Sequence, residues 1–484
     1  MAKSPRGTLA GAAMRDPIDR KTFAQRLQSI RPKPLRAGAV ALAVVLLSLS
    51  ACSPLASPTS VPGTATPTEP PPTSTATPTK EPVAPSGAIS IWLDWGPAEM
   101  LALERIVDHY RGMNPGVEFR ISYHRPESLR ADFEAAIAAG DELPSLLLGP
   151  SSWGDALFET GGLRDVGGSL LPEQRQAIHP FAWSQVDRGE VVVGLPLGLN
   201  GTVLYRNVQL ASVSAQSVGD LVEAANDARL TGAVGASLDL GFNQSAPMIR
   251  TCKGELHTEQ DVDPVTRPIG LCWLRLLSRL GQAGPVTFNT DEDLVGFEDG
   301  KSAWLLESTD KILELQDAIG ESNLEIDPWP IYQPTGEQLY GYVWTENGYF
   351  PTAVNDADFE ATWSFAVYLL APDNQRLLGD AQGVRHLPVL QSVTLDDQLL
   401  AEARAILLSG SPLPDQRLVA DIVGGLSTAI RLSVGQGGDP ELALELALGQ
   451  IREARIPTPT PTFTPAPTIT PTPSLTPPPT PPPG

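Results

Sequence analysis

Several residue types on which protein chemistry depends are scarce in this chain. Three cysteines and five histidines in 484 residues exclude a small disulfide scaffold, and His109, His124, His179, His257 and His386 show no paired spacing beside a Glu of the zinc-hydrolase kind. No CxxC, no GxSxG elbow and no phosphate-binding loop occurs. Basic residues are few: 34 Lys and Arg stand against 56 Asp and Glu, a formal net charge of −22. That balance lacks the basic footprint needed for nucleic acid or anionic lipid. Long apolar runs are also lacking, which excludes a multi-pass membrane protein. Asp291-Glu292-Asp293 with Gly296 resembles a calcium loop only superficially, because Val295 and Ser302 stand where ligands should be. No metal or cofactor is therefore expected.

Proline, by contrast, is abundant and unevenly placed. Of 48 prolines, 10 lie in residues 53–86, 13 in 457–484 and 4 before Cys52, so 21 remain for the 370 residues between. The middle has an ordinary globular composition, and its length favours two lobes over one core. Residues 1–36 carry nine Lys or Arg against Asp16 and Asp19, and the uncharged stretch AGAVALAVVLLSLSA follows at 37–51. Fifteen helical residues span about 22 Å, short of the roughly 30 Å hydrocarbon layer, so residues 1–51 read as a signal peptide, with Met14 an alternative start. Leu49-Ser50-Ala51-Cys52 resembles the lipobox of bacterial lipoproteins, which implies lipidation at Cys52. Removing the leader's +7 turns −22 into −29.

Residues 53–86 have almost no apolar material to bury and read as an extended stalk; at about 3.1 Å per residue it reaches up to roughly 100 Å. The Thr/Pro tail from Pro457 to Gly484 is expected to be disordered as well. Cys252 and Cys272 remain as an even pair in an oxidising compartment. A bridge between them closes a loop of about 20 residues and contributes roughly 3 kcal/mol; two buried free thiols are the alternative.

The body opens with alternating signals. Ile89–Leu93 reads as a strand, and Met100, Leu103, Ile106, Val107 and Tyr110 form a helical stripe stopped at Asn114-Pro115-Gly116. Val117, Phe119, Ile121 and Tyr123 then alternate, a helix runs from about Glu127 to Ala139, and Leu146-Leu147-Leu148 is a short buried strand. This β-α-β-α-β order predicts an α/β fold with a largely parallel sheet and ligands beyond the carboxyl ends of its strands. Near the end, Asp439-Pro440-Glu441 opens a helix whose expected docking stripe is Leu442, Leu446, Ala447 and Ile451.

Five ordered segments carry a family resemblance. LPSLLLGPSSWGDALFETGGLRDV (143–166), GLPLGLNGTVLYRN (194–207), FEDGKSAW (297–304), DFEATWSFAVYLLAPDNQRLLGDAQGVRHLP (358–388) and Gly435–Leu446 together resemble the maltose-binding-like solute-binding proteins of ABC importers. The resemblance implies a two-lobed, type II periplasmic-binding-protein fold joined by crossover strands. It places one lobe at 87–199 and 345–386 and the other at 200–344 and 387–456. It further implies a monomer on the extracellular face of the membrane that captures a small polar solute, a carbohydrate first of all, and hands it to permease subunits without catalysis.

Carried over position by position, the cleft residues are Asp94 and Trp95 after the first strand, Trp153 past the GPSS turn, Asn200 at the first crossover, and Trp344 and Glu346 at the second. Phe242, Asn243 and Gln244 are expected on the second lobe's cleft face. Core packing is the alternative for the tryptophans and a plain hinge role for Asn200. Two departures stand out: Glu307-Ser308-Thr309 replaces a Gly-x-Trp, and residues 412–420 offer no aromatic platform, which argues for a small polar or cationic ligand over a long oligosaccharide. A surface glycan-binding or adhesion module, and an exported hydrolase with two carboxyls about 5–9.5 Å apart, are the other functional classes open at this level.

Overall fold

The computed structural model of the chain describes residues 85–380 and 386–456. The signal segment, Cys52, nearly all of the stalk and the tail lie outside the described residues. The body begins as the alternation predicts, with β1 (Gly87–Leu93), α1 (Pro97–Met113), β2 (Val117–Tyr123), α2 (Leu129–Ala139) and β3 (Leu146–Pro150). β1 lies between β2 and β3, parallel to both. Pro97 sits at the start of α1, where a missing N–H costs nothing, and Leu103, Ile106, Val107 and Tyr110 turn inward. α2 stops at Gly140, whose φ of 70° is the left-handed cap that glycine adopts without strain.

β4 (Leu195–Asn207) is the backbone of the molecule, with all thirteen residues buried. Beyond it come α3 (Val218–Leu230), β5 (Leu238–Asp239), α4 (Arg267–Leu280), β6 (Val286–Thr287), β7 (Trp304–Ser308), β8 (Leu324–Asp327), the small pair β9 (Ile331–Tyr332) and β10 (Glu337–Gln338), and β11 (Tyr342–Tyr349). The chain then adds α5 (Asp356–Leu369), α6 (Gln398–Leu407), β12 (Ser411–Pro412), α7 (Ala420–Ile430) and α8 (Pro440–Arg455). The main sheet runs β2-β1-β3-β11-β4-β7, with β8 also on β4 and β12 on β11. β11 is antiparallel to both β3 and β4. β4 changes partners along its length: Leu195–Gly201 pair with β11, and from Thr202 onward the strand pairs with β7. Two strands therefore pass between the halves, the crossover architecture expected of a two-lobed binding-protein fold.

Period-two alternation divides the core. Val203, Tyr205 and Leu305 enter one hydrophobic cluster, continuous with β1, α1 and α5, while Leu204, Trp304 and Leu306 enter a second with α3, α4, α7 and α8. Cys252 and Cys272 are bonded, with Cα atoms 5.8 Å apart, and tie the segment before residue 253 to α4. Arg206 is buried on the second-lobe half of β4, where its Nε donates to Asp327 Oδ1 at 2.8 Å and Nη2 pairs with Glu325. Trp304 Nε1 donates to the other oxygen of Asp327 at 2.9 Å.

Residues 387–407 pack along β4: Leu387 exchanges backbone hydrogen bonds with Leu199, and Leu387, Val389, Leu400, Ala403 and Leu407 lie in the first cluster, which also takes in Leu294, Phe297, Ile312 and Leu324. The chain joins the second cluster with Leu413 and Val419. Two local expectations change. On α8, Leu442 and Leu446 are 58% and 49% exposed, and Ala443, Leu444, Ala447, Leu448 and Ile451 form the buried stripe. The N-cap is as read: Asp439 accepts the Glu441 N–H. On β2, Tyr123 points to solvent, since the strand is an edge with only one neighbour.

Candidate functional site

Asp94 and Trp95 follow the carboxyl end of β1. Asp94 is half-buried, whereas Trp95 is 1% exposed. Trp95 Nε1–H donates to Glu346 Oε1 at 2.9 Å, and the indole packs at 4.1 Å between centroids from the His386 imidazole. The structure thus brings together two predicted residues 251 positions apart. It also occupies the indole's polar edge and lays an imidazole against its ring, so the pair acts first as a brace between β1 and β11. A buried N–H with a buried carboxyl acceptor is a strong anchor.

Asn200 and Trp344 are direct cross-strand partners on β4 and β11. Asn200 is buried, and its Oδ1 accepts from Thr309 Oγ1 at 2.8 Å, Ser308 Oγ at 3.1 Å and the Gly201 N–H at 2.7 Å. Those bonds tie the first crossover to the end of β7. Trp344 is half-buried. Two residues further along β4, Thr202 Oγ1 donates to Gln244 Oε1 at 3.3 Å; Asn243 is exposed and Phe242 is buried in the second-lobe core. Gln244 therefore reaches the crossover, and Phe242 does not.

Residues outside the predicted set complete this region. Burial pushes the Glu307 carboxyl up to about 7, reinforced by the negative charges of Asp310 and Asp293. Asp293 is itself raised to about 6 by burial and by Asp239 beside it. Glu307 Oε1 accepts the Ser308 N–H at 2.6 Å, and a carboxyl raised this far can also hold a proton and donate. Gln185 is the second addition: Ser151 Oγ donates to its Oε1 at 2.6 Å, and the Thr345 N–H reaches the same oxygen at 3.2 Å. Its buried Nε2 has no protein acceptor among the described residues. The only sequence signal for Glu307 was the departure of residues 307–309 from the family pattern; Gln185 carried none, because a Gln is informative only when its neighbours are known.

Trp153 is half-buried at the end of β3. Its ring lies against Gly149, where a Cβ would come within 2.5 Å of Cζ3, and the Arg130 guanidinium sits over the ring 5.9 Å from the centroid. Glycine at 149 is thus required for the indole's position. Arg130 belongs to α2, and Arg417 and Asp415 lie just before α7; together with Glu134 they form a group of alternating charges.

A separate cavity of about 560 Å³ lies where Phe181 and Ser184 of the first lobe face Ala246, Ile249 and the 408–414 segment, with Tyr342 of β11 at its edge. None of the predicted site residues lines it. Among the described residues, no group of three or more His, Cys, Asp or Glu side chains is placed to hold a metal ion, and no helix is long and apolar enough to cross a membrane.

The geometry has clear relatives. The GacH receptor of Streptomyces glaucescens GLA.O, solved unliganded and with acarbose, superposes with a TM-score of 0.62 at 16% identity, over 76% of this chain and 98% of that one. The cyclic alpha-maltosyl-1,6-maltose binding protein of Arthrobacter globiformis gives 0.66 at 16% identity, over 76% and 99%. An ABC transporter solute binding protein from Thermotoga lettingae TMO, bound with alpha-D-tagatose, gives 0.61 at 16% identity, over 76% and 100%. At such identities the likeness is one of fold. No curated protein matches the chain by sequence. The family profile for bacterial extracellular solute-binding proteins matches residues 105–405, and with more than half of its length so matched, the chain belongs to the bacterial extracellular solute-binding protein family.

Proposed function

We propose that this protein is the lipid-anchored, extracellular binding component of an ABC importer, held at the membrane through Cys52 and its stalk, and that it captures a small polar solute, a carbohydrate, between its lobes. The observation that carries the reading is the pair of crossover strands: β4 and β11 run through both lobes and bring Asn200, Gln244, Trp344 and Glu346 to one junction. A sugar presents apolar C–H faces and a rim of hydroxyls, which suits half-buried indoles beside amides and carboxyls. The carbohydrate ligands of structural neighbours support the same class. Binding acts by differential affinity: a ligand touching both lobes favours their closed arrangement, which a permease can then recognise. No bond is made or broken by the chain, and it works as a monomer.

The test is a thermal-shift screen of the purified protein against mono- and oligosaccharides, amino acids and polyamines. A true ligand at a hundred times its Kd adds about 2.7 kcal/mol, enough to raise the midpoint by several degrees. Failure of every small molecule, with binding to an intact glycan polymer, would reject import in favour of surface adhesion.

A further inference from the structure

We propose that the cavity between Phe181 and Ile249 is a second binding site, apart from the crossover junction, and that it takes a small zwitterion with an apolar body, such as an apolar α-amino acid.

The cavity is built from both lobes and from a strand that joins them. Phe181 and Ser184 form one wall, Ile249, Arg250 and Leu256 another, and Tyr342 of β11 lies at the edge. Its volume of about 560 Å³ falls within the range of small-molecule sites, roughly 300–1,000 Å³. The second-lobe wall is held in place from two sides. The Cys252–Cys272 bond anchors it to α4, and from the end of α8 Arg455 Nη1 donates to the carbonyls of Glu259 and Val262 just beyond it. A wall fixed before the ligand arrives leaves little ordering entropy for binding to offset.

Two of the lining residues are charged, Arg250 and Glu255, and their signs are opposite. The Arg250 guanidinium is positioned by neutral groups: Nη1 donates to the Gly410 carbonyl at 2.9 Å, and the group lies over the Tyr340 ring, 4.6 Å from its centroid. Among the described residues no carboxylate pairs with Arg250 and no cation pairs with Glu255.

These two charges select the occupant. A neutral polyol would shield both from water without supplying a counter-charge, an anion alone would set like charge against Glu255, and a cation alone would do the same to Arg250. A molecule with a carboxylate for Arg250 and an ammonium for Glu255 satisfies both, since a guanidinium matches a carboxylate with paired hydrogen bonds. Phe181, Ile249, Leu256 and Tyr342 supply apolar surface for the rest of the molecule.

The test is calorimetry on the full-length protein with L-phenylalanine, phenethylamine, which lacks the carboxylate, and 3-phenylpropanoate, which lacks the ammonium. Wild type is expected to bind phenylalanine at least roughly tenfold more tightly than either analogue, the factor expected of a hydrogen-bonded charge. Arg250→Gln should weaken phenylalanine by a similar factor and leave phenethylamine unchanged. Glu255→Gln should weaken phenylalanine likewise while 3-phenylpropanoate binds no less well. Glu255 is exposed and unpaired among the described residues, so its variant is expected to keep the wild-type melting midpoint and decides the matter even if Arg250→Gln folds poorly. Absence of phenylalanine binding to wild type overturns the site, as does equal weakening of all three probes by Glu255→Gln. A fall in maltose affinity in Glu255→Gln overturns it as well, because the cavity would then belong to the captured solute.

Discussion

In the first lobe the crossover is lined by tryptophans already in use, Trp95 bonded to Glu346 and packed on His386, and Trp153 held between Gly149 and Arg130. In the second lobe the corresponding surface is short and polar: Gln244, Glu307, Ser308 and Thr309, with no aromatic side chain from 412 to 420. The difference separates two ways of building a binding face. An indole has one donor and a large apolar area, so once packed and bonded it serves the frame. Hydroxyls, amides and a protonated carboxyl keep donor and acceptor capacity after their internal bonds are made.

The frames differ in the same sense, and three substitutions probe that. The largest effect is expected for Arg206→Ala in the second-lobe half of β4, which leaves buried Asp327 without its charge partner; such losses cost about 3–5 kcal/mol. Urea unfolding should show a large fall in midpoint at unchanged slope. Glu346→Ala, on the first-lobe side, strips the acceptor from the buried Trp95 N–H and is expected to cost about 1–3 kcal/mol. Should the two rank the other way in the same urea assay, the picture of an ionic second-lobe frame beside an aromatic first-lobe brace is wrong.

The smallest effect concerns pH. Glu307 holds its proton in the fold up to about pH 7, whereas the unfolded chain releases it near 4.5. The folded state therefore binds the extra proton between those values, and its stabilising contribution, complete below about pH 4.5, is lost as pH rises through 7. Glu307→Gln should match wild type near pH 4.5 and melt higher than wild type at pH 8, by calorimetry at both values. Equal melting at pH 8 would mean that Glu307 is not a buried carboxyl, and the polar second-lobe face would lose its one protonated member.

Most of the fold was legible because it rests on local periodicity. The order β1-α1-β2-α2-β3, the buried Leu146–Leu148 strand, the Gly140 stop and the Asp439 cap all follow from side-chain spacing and capping chemistry within a dozen residues. Where periodicity misled, the cause lay outside the segment. Leu442 and Leu446 obey a helical spacing, but packing against α7 chose the Leu444–Leu448 face.

For the site, sequence alone determined residue type and order: which positions near the crossovers carry indoles, amides and carboxyls, and that Cys252 and Cys272 were available to pair. Only the tertiary structure decided which of those groups are already engaged. Trp95 meets Glu346 across 251 positions, and Arg130 meets Asp415 across 285. Burial, charge pairing and proton affinity are properties of three-dimensional neighbourhoods, and a chain fixes its neighbourhoods only when β4 and β11 cross and bring the two lobes to one junction.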